Sequence, residues 1–170
     1  MNLFPSYETE RLILKPFGKE DAPFLISLLN SPKWLQFIGQ RNVHTIEEAE
    51  NYIEERMMSQ LRRLGYGNNL VILKDRMIPM GACGIYERPG LDVVDIGFAF
   101  LEQYEGKGYG YEAASKMLQL AKTDFGLTKI CAITDKDNLP SQKLLDKLGL
   151  IYIKNKEVDG NELMYYELEL

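Results

Sequence analysis

The sequence predicts a mixed α/β fold in which helices cover a single sheet. Strand-like runs rich in aliphatic residues alternate with amphipathic runs of helical period along the whole chain. The runs at 70–74, 80–87 and 93–100 are joined by turns too short for a parallel crossover, so we expect an antiparallel meander. A helix-like run separates 93–100 from the next strand, at 130–134, and this crossover favours a parallel pair. We expect about seven mostly antiparallel strands and four helices.

The first part of the chain supplies one strand and two helices before the meander begins. A strand is expected at 11–15 and a helix at 19–29. Thr45 and Glu48 have the spacing of a capping box, which satisfies the free N–H groups at a helix start. They open a long helix that ends at the glycines of 65–67.

The second part of the chain supplies two further helices and a closing hairpin. The run at 112–123 carries small alanines on its apolar face, which indicates close packing on the sheet. Asn138 can cap the next helix, and Gly149 provides a left-handed residue at its end. Asp159-Gly160 between two β-rich runs is typical of a type I′ hairpin turn.

Composition indicates one ordinary globular domain over residues 1–170. Apolar content is 45%, charged content is 26% and the net charge is −5, which argues against nonspecific nucleic-acid binding. No run is long enough for a membrane span, and no secretory signal is visible. Cys83 and Cys131 lie in separate strand-like runs, as expected of buried thiols in a reducing compartment. We therefore expect a cytoplasmic monomer or homodimer without nucleic-acid or membrane partners.

The segment Glu105-Gly106-Lys107-Gly108-Tyr109-Gly110 is the strongest functional signal. Its three glycines precede a predicted helix, where free N–H groups and the helix dipole favour an anion. A P-loop is excluded because no glycine is followed by Lys and then Ser or Thr. A dinucleotide fingerprint has Tyr111 where its third glycine belongs. A coenzyme A pyrophosphate loop of the form [RQ]-x-x-G-x-[GA] aligns from Glu105, which replaces the usual Arg or Gln. A tight turn without a ligand also stays open.

Motifs around this loop resemble those of the GNAT N-acetyltransferases. Val94–Phe98 with the glycine loop is similar to their motif A, and Asp137–Leu150 is similar to their motif B. Glu8–Leu14, followed by Lys19–Ala22, resembles the opening of the RimJ/RimL branch. The resemblance extends over essentially the whole chain. It implies the GNAT fold, in which the parallel strands diverge, and acetyl-CoA as the cofactor.

The resemblance also implies which residues contact acetyl-CoA. Backbone groups of the strand before the loop bind the pantetheine arm, loop amides bind the pyrophosphate, and lysines add positive charge. The implied contacts are Phe98, Ala99, Phe100, Glu105, Gly106, Lys107, Gly108, Tyr109, Gly110, Asn138, Ser141 and Lys143.

Two residues are candidates for catalysis. Asp95, in the strand leading to the loop, is the candidate general base, with Glu102 and Glu105 as alternatives of lower rank. Many GNAT enzymes place a tyrosine seven residues after the motif B asparagine, but Leu145 stands there in this chain. Ser141 resembles the serine that the RimL branch places at the sulfur, where a hydroxyl can stabilise a departing thiolate.

The acceptor implied by the resemblance is a primary amine, either a protein N-terminus or a small molecule. Trp34, Phe37, Tyr66 and Tyr86 are candidates to line its groove. No metal is expected, because His44 is the sole histidine and no Cys/His cluster is present. Two rival hypotheses stay open: a GNAT-fold acyl-CoA sensor or scaffold of weak activity, and a nucleotide-binding α/β domain.

Overall fold

The computed structural model describes residues 3–170, which contain eight strands in one sheet. The strands are β1 (Tyr7–Glu8), β2 (Leu12–Pro16), β3 (Asn68–Leu73), β4 (Ile78–Tyr86), β5 (Asp95–Phe100), β6 (Lys129–Thr134), β7 (Ile151–Val158) and β8 (Asn161–Glu169). Their order across the sheet is β1-β2-β3-β4-β5-β6-β8-β7. The strand that the sequence did not predict is β1, whose two residues pair with β2.

The described residues form six α-helices rather than the four predicted. The helices are α1 (Ala22–Leu29), α2 (Pro32–Phe37), α3 (Ile46–Tyr52), α4 (Ser59–Leu64), α5 (Tyr109–Thr123) and α6 (Leu139–Leu148). The helix α2 was not expected. A π-helical segment at Ile53–Met58 joins α3 to α4, so the predicted long helix is present with an interruption. The predicted helix at 19–29 begins as a 3-10 turn and is α-helical only from Ala22.

Local end signals confirm several predicted boundaries. The Thr45 hydroxyl accepts a hydrogen bond from the Glu48 backbone N–H at 3.1 Å, which completes the capping box of α3. Gly65 ends α4 in the left-handed region, with φ +83°. Asp159 and Gly160 have φ values of +50° and +76° between β7 and β8, as a type I′ turn requires.

The predicted strand directions are confirmed. Strands β3, β4 and β5 form an antiparallel meander, and β2 pairs antiparallel with β3. The helix α5 carries the chain over the sheet, so β6 lies parallel to β5. The hairpin β7–β8 then completes the sheet by antiparallel pairing of β8 with β6.

The sheet has an apolar core on each face. On one face, side chains such as Ile85 and Ile96 pack with Met117 of α5. On the other, Leu70 and Ala82 pack in a cluster with side chains of α1 and of the helix running from α3 to α4. Neighbouring strand residues alternate between the two clusters because successive side chains point to opposite faces. The same alternation turns Ala99 toward the α1–α4 face and Phe98 toward the α5 face.

Within residues 3–170, no helix is long and apolar enough to cross a lipid bilayer. The same residues contain no group of three His, Cys, Asp or Glu side chains arranged to hold a metal ion. Cys83 and Cys131 are both buried and unbonded, as predicted. Burial raises the pKa of each thiol to about 12, so neither is a thiolate at neutral pH.

Candidate active site

The parallel strands β5 and β6 separate along their length. Their pairing is confined to the start of β5, where Asp95 lies opposite Cys131 and the Cys131 N–H donates to Val94 O at 3.0 Å. Beyond this point the two strands diverge, and the β5 edge that faces β6 keeps backbone groups without a partner on that strand. This is the splayed pair that the GNAT resemblance implies.

A cavity of about 480 Å³ extends from the splayed strands to the helices on the α1–α4 side. Its walls include residues 95–99 of β5, residues 133–135 at the end of β6, and the start of α6. The opposite wall is formed by α2, the connection after it and the π-helical segment. The volume lies in the range of small-ligand sites.

The glycine loop that follows β5 has the geometry of an anion site. Gly106 and Gly108 adopt left-handed φ values of +71° and +84°, and Gly108 is the N-cap of α5 without any side-chain cap. The first N–H groups of α5 therefore have no intrahelical acceptor and lie at the positive end of its dipole. A pyrophosphate fits this arrangement of donors.

The structure favours a different register of the coenzyme A loop pattern. The sequence satisfies [RQ]-x-x-G-x-[GA] in full when the pattern starts at Gln103. The two glycines of this register, Gly106 and Gly108, are also the two that have left-handed φ values. In the register from Glu105, the second glycine is Gly110, which lies inside α5. A Cβ at Gly110 would come within 3.1 Å of Leu144 Cδ2, so this glycine allows α5 and α6 to approach closely. Its N–H is still among the free donors at the helix start.

Ion pairs hold the loop from both sides. Arg11 Nε donates to Glu112 at 2.7 Å, Arg11 Nη1 donates to the carbonyl of Lys107 at 3.1 Å, and the guanidinium lies 4.5 Å from the Tyr109 ring centre. Burial disfavours ionisation of Glu112, but the hydrogen bonds from Thr9 and Arg11 outweigh it and keep the pKa of Glu112 below its usual value. The carboxylate of Glu105 pairs with Lys33 of α2. Glu105 therefore links the loop to the helix on the far wall of the cavity.

The start of α6 faces the cavity. Asn138 caps this helix by accepting the Ser141 N–H at 3.3 Å, as its predicted capping role requires. Ser141 is half-buried and lines the cavity. Leu145, which stands where many GNAT enzymes have a tyrosine, also lines it and is only 1% exposed. No hydroxyl is therefore supplied from that position.

Asp95 is a buried carboxylate held by an arginine. It is 1% exposed, and Arg88 donates to its two oxygens from Nε at 3.3 Å and from Nη2 at 3.2 Å. Burial raises the pKa of Asp95 above its ordinary value, while the Arg88 guanidinium acts to lower it.

Gly97 leaves room for the Tyr86 side chain. A Cβ at Gly97 would approach the Tyr86 ring to 2.7 Å. The Tyr86 hydroxyl donates to Asn68 Oδ1 at 2.7 Å.

The cavity brings together five of the predicted site residues. They are Asp95, Phe98, Ala99, Asn138 and Ser141. Phe100 does not line the cavity, and its side chain packs in the core under α5. The loop residues 105–110 and Lys143 also lie outside the cavity wall, and both lysines, Lys107 and Lys143, are exposed.

Among the predicted groove aromatics, three line the cavity and one does not. Trp34, Phe37 and Tyr86 are part of its wall. Tyr66 was predicted wrongly: it stacks on Phe125, with ring centres 5.0 Å apart, because its place after α4 turns it into the core on the α5 face.

Sequence reasoning missed most of the charged wall. Arg88 faces Asp95 because β4 and β5 form a hairpin in which Tyr86 lies opposite Asp95. The sequence signal that could have predicted this pair is the hairpin register, because a residue just beyond Tyr86 lies near Asp95 when these two residues are paired. Arg41 and Arg56 also line the cavity. Their positions follow from α2 and the π-helical segment, which no sequence pattern indicated.

A comparison of the chain with protein families shows the family to which it belongs. The family model of the acetyltransferase (GNAT) domain matches residues 11–151. These residues form most of the chain and include the splayed strands, the glycine loop and the start of α6. This chain belongs to the GNAT acetyltransferases. The fold predicted from the sequence is thereby confirmed, and acetyl-CoA is the acetyl donor of the family.

Similar proteins agree with the GNAT assignment. The Bacillus subtilis (strain 168) N-acetyltransferase YjdG is 31% identical over 119 residues, covering 69% of this chain and 70% of YjdG. The crystal structure of an acetyltransferase from Agrobacterium tumefaciens str. C58 has a TM-score of 0.84 at 21% identity and covers 100% of this chain and 99% of its own. RimL, a ribosomal L7/L12 alpha-N-protein acetyltransferase solved in complex with coenzyme A, has a TM-score of 0.80 at 16% identity and covers 98% of both chains. At these identities the two structures show the shared fold.

Proposed function

We propose that this GNAT domain transfers the acetyl group of acetyl-CoA to a primary amine by direct attack, in the manner of the RimJ/RimL branch. The observation that carries the proposal is the cavity that joins the splayed strands to Asp95 and Ser141. The donor follows the wall formed by β5, and the acceptor lies against the opposite wall, formed by α2 and the π-helical segment. The branch assignment depends on the opening motif Glu8–Leu14.

The cofactor-binding role is divided between three elements. The N–H groups at the start of α5 and in the loop from Gly106 to Gly110 bind the pyrophosphate, with Lys107 and Lys143 adding charge at the surface. Free backbone groups along Phe98–Phe100 bond the amides of the pantetheine arm. Asn138 and Ser141 contact the end that carries the thioester.

Asp95 is proposed as the general base. An α-amine, with an unperturbed pKa near 8, is roughly one-tenth neutral at pH 7, whereas a lysine side chain near 10.4 is under about one-thousandth neutral. Asp95 takes up the proton that the amine nitrogen loses as the nitrogen–carbon bond forms. Its buried position favours the protonated form, which makes the carboxylate a stronger base than an exposed aspartate.

Ser141 is proposed to stabilise the leaving sulfur. As the carbon–sulfur bond breaks, negative charge collects on the thiolate, and the Ser141 hydroxyl donates a hydrogen bond to it. The proton that later neutralises the thiolate comes from water. With Leu145 in the usual tyrosine position, no side chain at that place can serve as a general acid.

The proposed function is tested first by thermal shift with acetyl-CoA, coenzyme A, ATP and NAD in parallel. Ligand at a hundred times its dissociation constant adds about 2.7 kcal/mol, and each kcal/mol moves the midpoint of a domain of this size by roughly 2–4 °C. We expect a shift of several degrees with acetyl-CoA, followed by release of free coenzyme A when a panel of primary amines is added. Binding without release with any amine would support the sensor hypothesis instead.

Replacing Ser141 with alanine is expected to lower kcat roughly 10- to 100-fold, since a hydrogen bond to a charged group contributes about 1.5–3 kcal/mol. The KM for acetyl-CoA should stay within about twofold, because the Asn138 cap bonds the Ser141 backbone and not its hydroxyl. Steady-state release of coenzyme A measures both constants. Ser27→Ala, an exposed hydroxyl on α1, is the control. Equal kcat in the Ser141 variant and the wild type would remove Ser141 from the mechanism.

We also assign the protein to the cytoplasm. Both cysteines are free and buried in the described structure, which fits a compartment that keeps thiols reduced. The proposed donor, acetyl-CoA, is consistent with this assignment. Fractionation of cells that express the chain with an epitope tag tests it directly.

A further inference from the structure

We propose that the acceptor amine also carries a carboxylate, which Arg41 and Arg56 bind on the helical wall of the cavity. This proposal names the class of acceptor and therefore rests on the proposed acetyl transfer. It distinguishes between the acceptors that the family resemblance left open, because a polyamine or an aminoglycoside has no anionic group to offer these arginines.

The two arginines are held in similar settings. The Arg41 guanidinium lies over the Trp34 ring at 5.9 Å from its centre, and the Arg56 guanidinium lies over the Tyr52 ring at 5.6 Å. All four side chains line the cavity. Stacking on an aromatic face attracts a guanidinium and restricts its motion while its N–H donors at the rim stay free to bind a ligand.

Neither Arg41 nor Arg56 has an ion pair or side-chain hydrogen bond among residues 3–170. Arginines close by are paired: Arg62 bonds Glu54, Arg63 bonds Glu87 at 3.1 Å, and Arg88 bonds Asp95. Two positive groups without a protein partner therefore border the same cavity. A planar carboxylate matches the fork of N–H donors that a guanidinium presents.

Trp34 has a polar atom that is buried behind the cavity wall. The indole nitrogen of Trp34, Nε1, is buried and has no hydrogen-bond partner in the described structure. Buried polar groups are rarely left in this state, and each one calls for an explanation. Because this nitrogen has no surface open to the cavity, it is not counted as a ligand donor. The donors that a ligand can reach are those of Arg41 and Arg56, and a group with two acceptor oxygens matches them.

A π-helical segment forms part of the wall that carries Arg56. Single π-helical turns inside α-helices are found frequently at functional sites. Here the segment Ile53–Met58 begins directly after Tyr52 and contains Arg56 and Met57. All three of these side chains line the cavity. The interruption thus lies in the cavity wall.

The charges of the cavity are divided between its two walls. The acidic residues that line it lie on the sheet side: Asp95 on β5, Asp135 after β6 and Asp159 in the β7–β8 turn. Arg88 is on the same side and pairs with Asp95. The arginines without a partner are on the helical side. An acceptor that places its ammonium toward the sheet and its carboxylate toward the helices matches this distribution, whereas a polycation places positive charge against Arg41 and Arg56.

The experiment compares amines with and without the anionic group, and each rate is referred to the concentration of neutral amine because a carboxamide lowers the pKa of the neighbouring amine. Glycine, β-alanine and 4-aminobutyrate are each tested against the corresponding carboxamide, with release of coenzyme A as the readout at saturating acetyl-CoA. We expect kcat/KM to be at least about tenfold higher for the carboxylate of the preferred chain length, since a bidentate charged contact is worth a tenfold factor or more. In Arg41→Gln and Arg56→Gln, this preference should fall toward one while the KM for acetyl-CoA is unchanged.

Arg76→Gln is the matched control. Arg76 is an exposed arginine in the β3–β4 turn, outside the cavity wall, so this variant loses the same charge and should keep the full preference. Equal rates for carboxylates and carboxamides would overturn the proposal and leave acetyl transfer intact. A change only in the KM for acetyl-CoA would assign the arginines to the cofactor and likewise overturn it.

Two further measurements separate this proposal from a protein acceptor and from a failure of acetyl transfer itself. A peptide with aspartate as its second residue is compared with the same peptide carrying asparagine there. A carboxylate preference that is found with these peptides and not with the small amines would assign the arginines to a protein acceptor rather than a small molecule. If no amine in any arm releases coenzyme A while acetyl-CoA still binds, the proposed transfer itself fails, and the outcome is distinct from a loss of preference.

Discussion

Replacing Asp95 with asparagine is expected to lower kcat/KM for amine acetylation by roughly 100-fold or more, the usual contribution of a positioned general base. Asparagine keeps the shape of the side chain and an oxygen that can accept from Arg88, but it cannot take up a proton. Binding of acetyl-CoA, measured by thermal shift, should be unchanged. Asp92→Asn, an exposed aspartate in the connection before β5, is the control and should behave like the wild type.

The Asp95 variant is expected to fold. Because burial raises the pKa of Asp95, its contribution to stability is fully present only below the unfolded pKa, near 4, and is lost as the pH rises through the higher folded value. At neutral pH the ionised carboxylate therefore does not stabilise the fold through this shift. The variant does leave the Arg88 guanidinium without its anionic partner, so we expect a lower free energy of unfolding with the native fold retained. A chain that is unfolded at pH 7 would contradict this account.

The pH dependence of the rate distinguishes a base from a structural carboxylate. If Asp95 is the base, kcat/KM falls as the pH drops below its pKa. Arg88 lowers that pKa, so Arg88→Gln should raise it and move the acidic limb of the profile to higher pH. The limb should disappear in Asp95→Asn. An identical acidic limb in the wild type and both variants would exclude Asp95 as the base.

The fold was predictable because its signals are local. The Thr45–Glu48 capping box, the left-handed glycine at 65 and the Asp159-Gly160 turn each fix an element boundary through a few neighbouring residues. Strand directions then followed from connection lengths. In contrast, α2 has only six residues and no buried side chain, so it lacked the periodic apolar face by which longer helices are recognised.

The candidate site was predictable only where its residues lie in one motif. Asn138 and Ser141 are three residues apart, and the cap that joins them is a local interaction. The pairing of Arg88 with Asp95 depends on hairpin register, and the wall formed by Arg41 and Arg56 depends on where separate elements meet. The glycine loop shows a third case: the pattern was aligned from Glu105, although the sequence already contains a full match that starts at Gln103.

Replacing Gly108 with valine is expected to abolish stabilisation by acetyl-CoA. Gly108 has φ +84° and ψ +2° as the N-cap of α5, a left-handed conformation that a β-branched residue adopts only with strain. Its Cβ would also come within 3.3 Å of Arg11 Nη2, which helps to hold the loop. Acetyl-CoA at a hundred times the wild-type dissociation constant should add about 2.7 kcal/mol to the wild type and close to nothing to the variant.

Gly65 separates loss of binding from loss of stability. At the end of α4 it has nearly the same conformation, with φ +83° and ψ 0°, and open space around it. Gly65→Val therefore carries a comparable backbone strain, about 1–2 kcal/mol or more for a left-handed residue with a side chain, at a position away from the loop. Both variants should melt earlier than the wild type without ligand, but only Gly65→Val should regain the full increment with acetyl-CoA. An equal increment in both would mean that the free N–H groups at the start of α5 do not bind the pyrophosphate, and the proposed cofactor site would have to be placed elsewhere along the splayed strands.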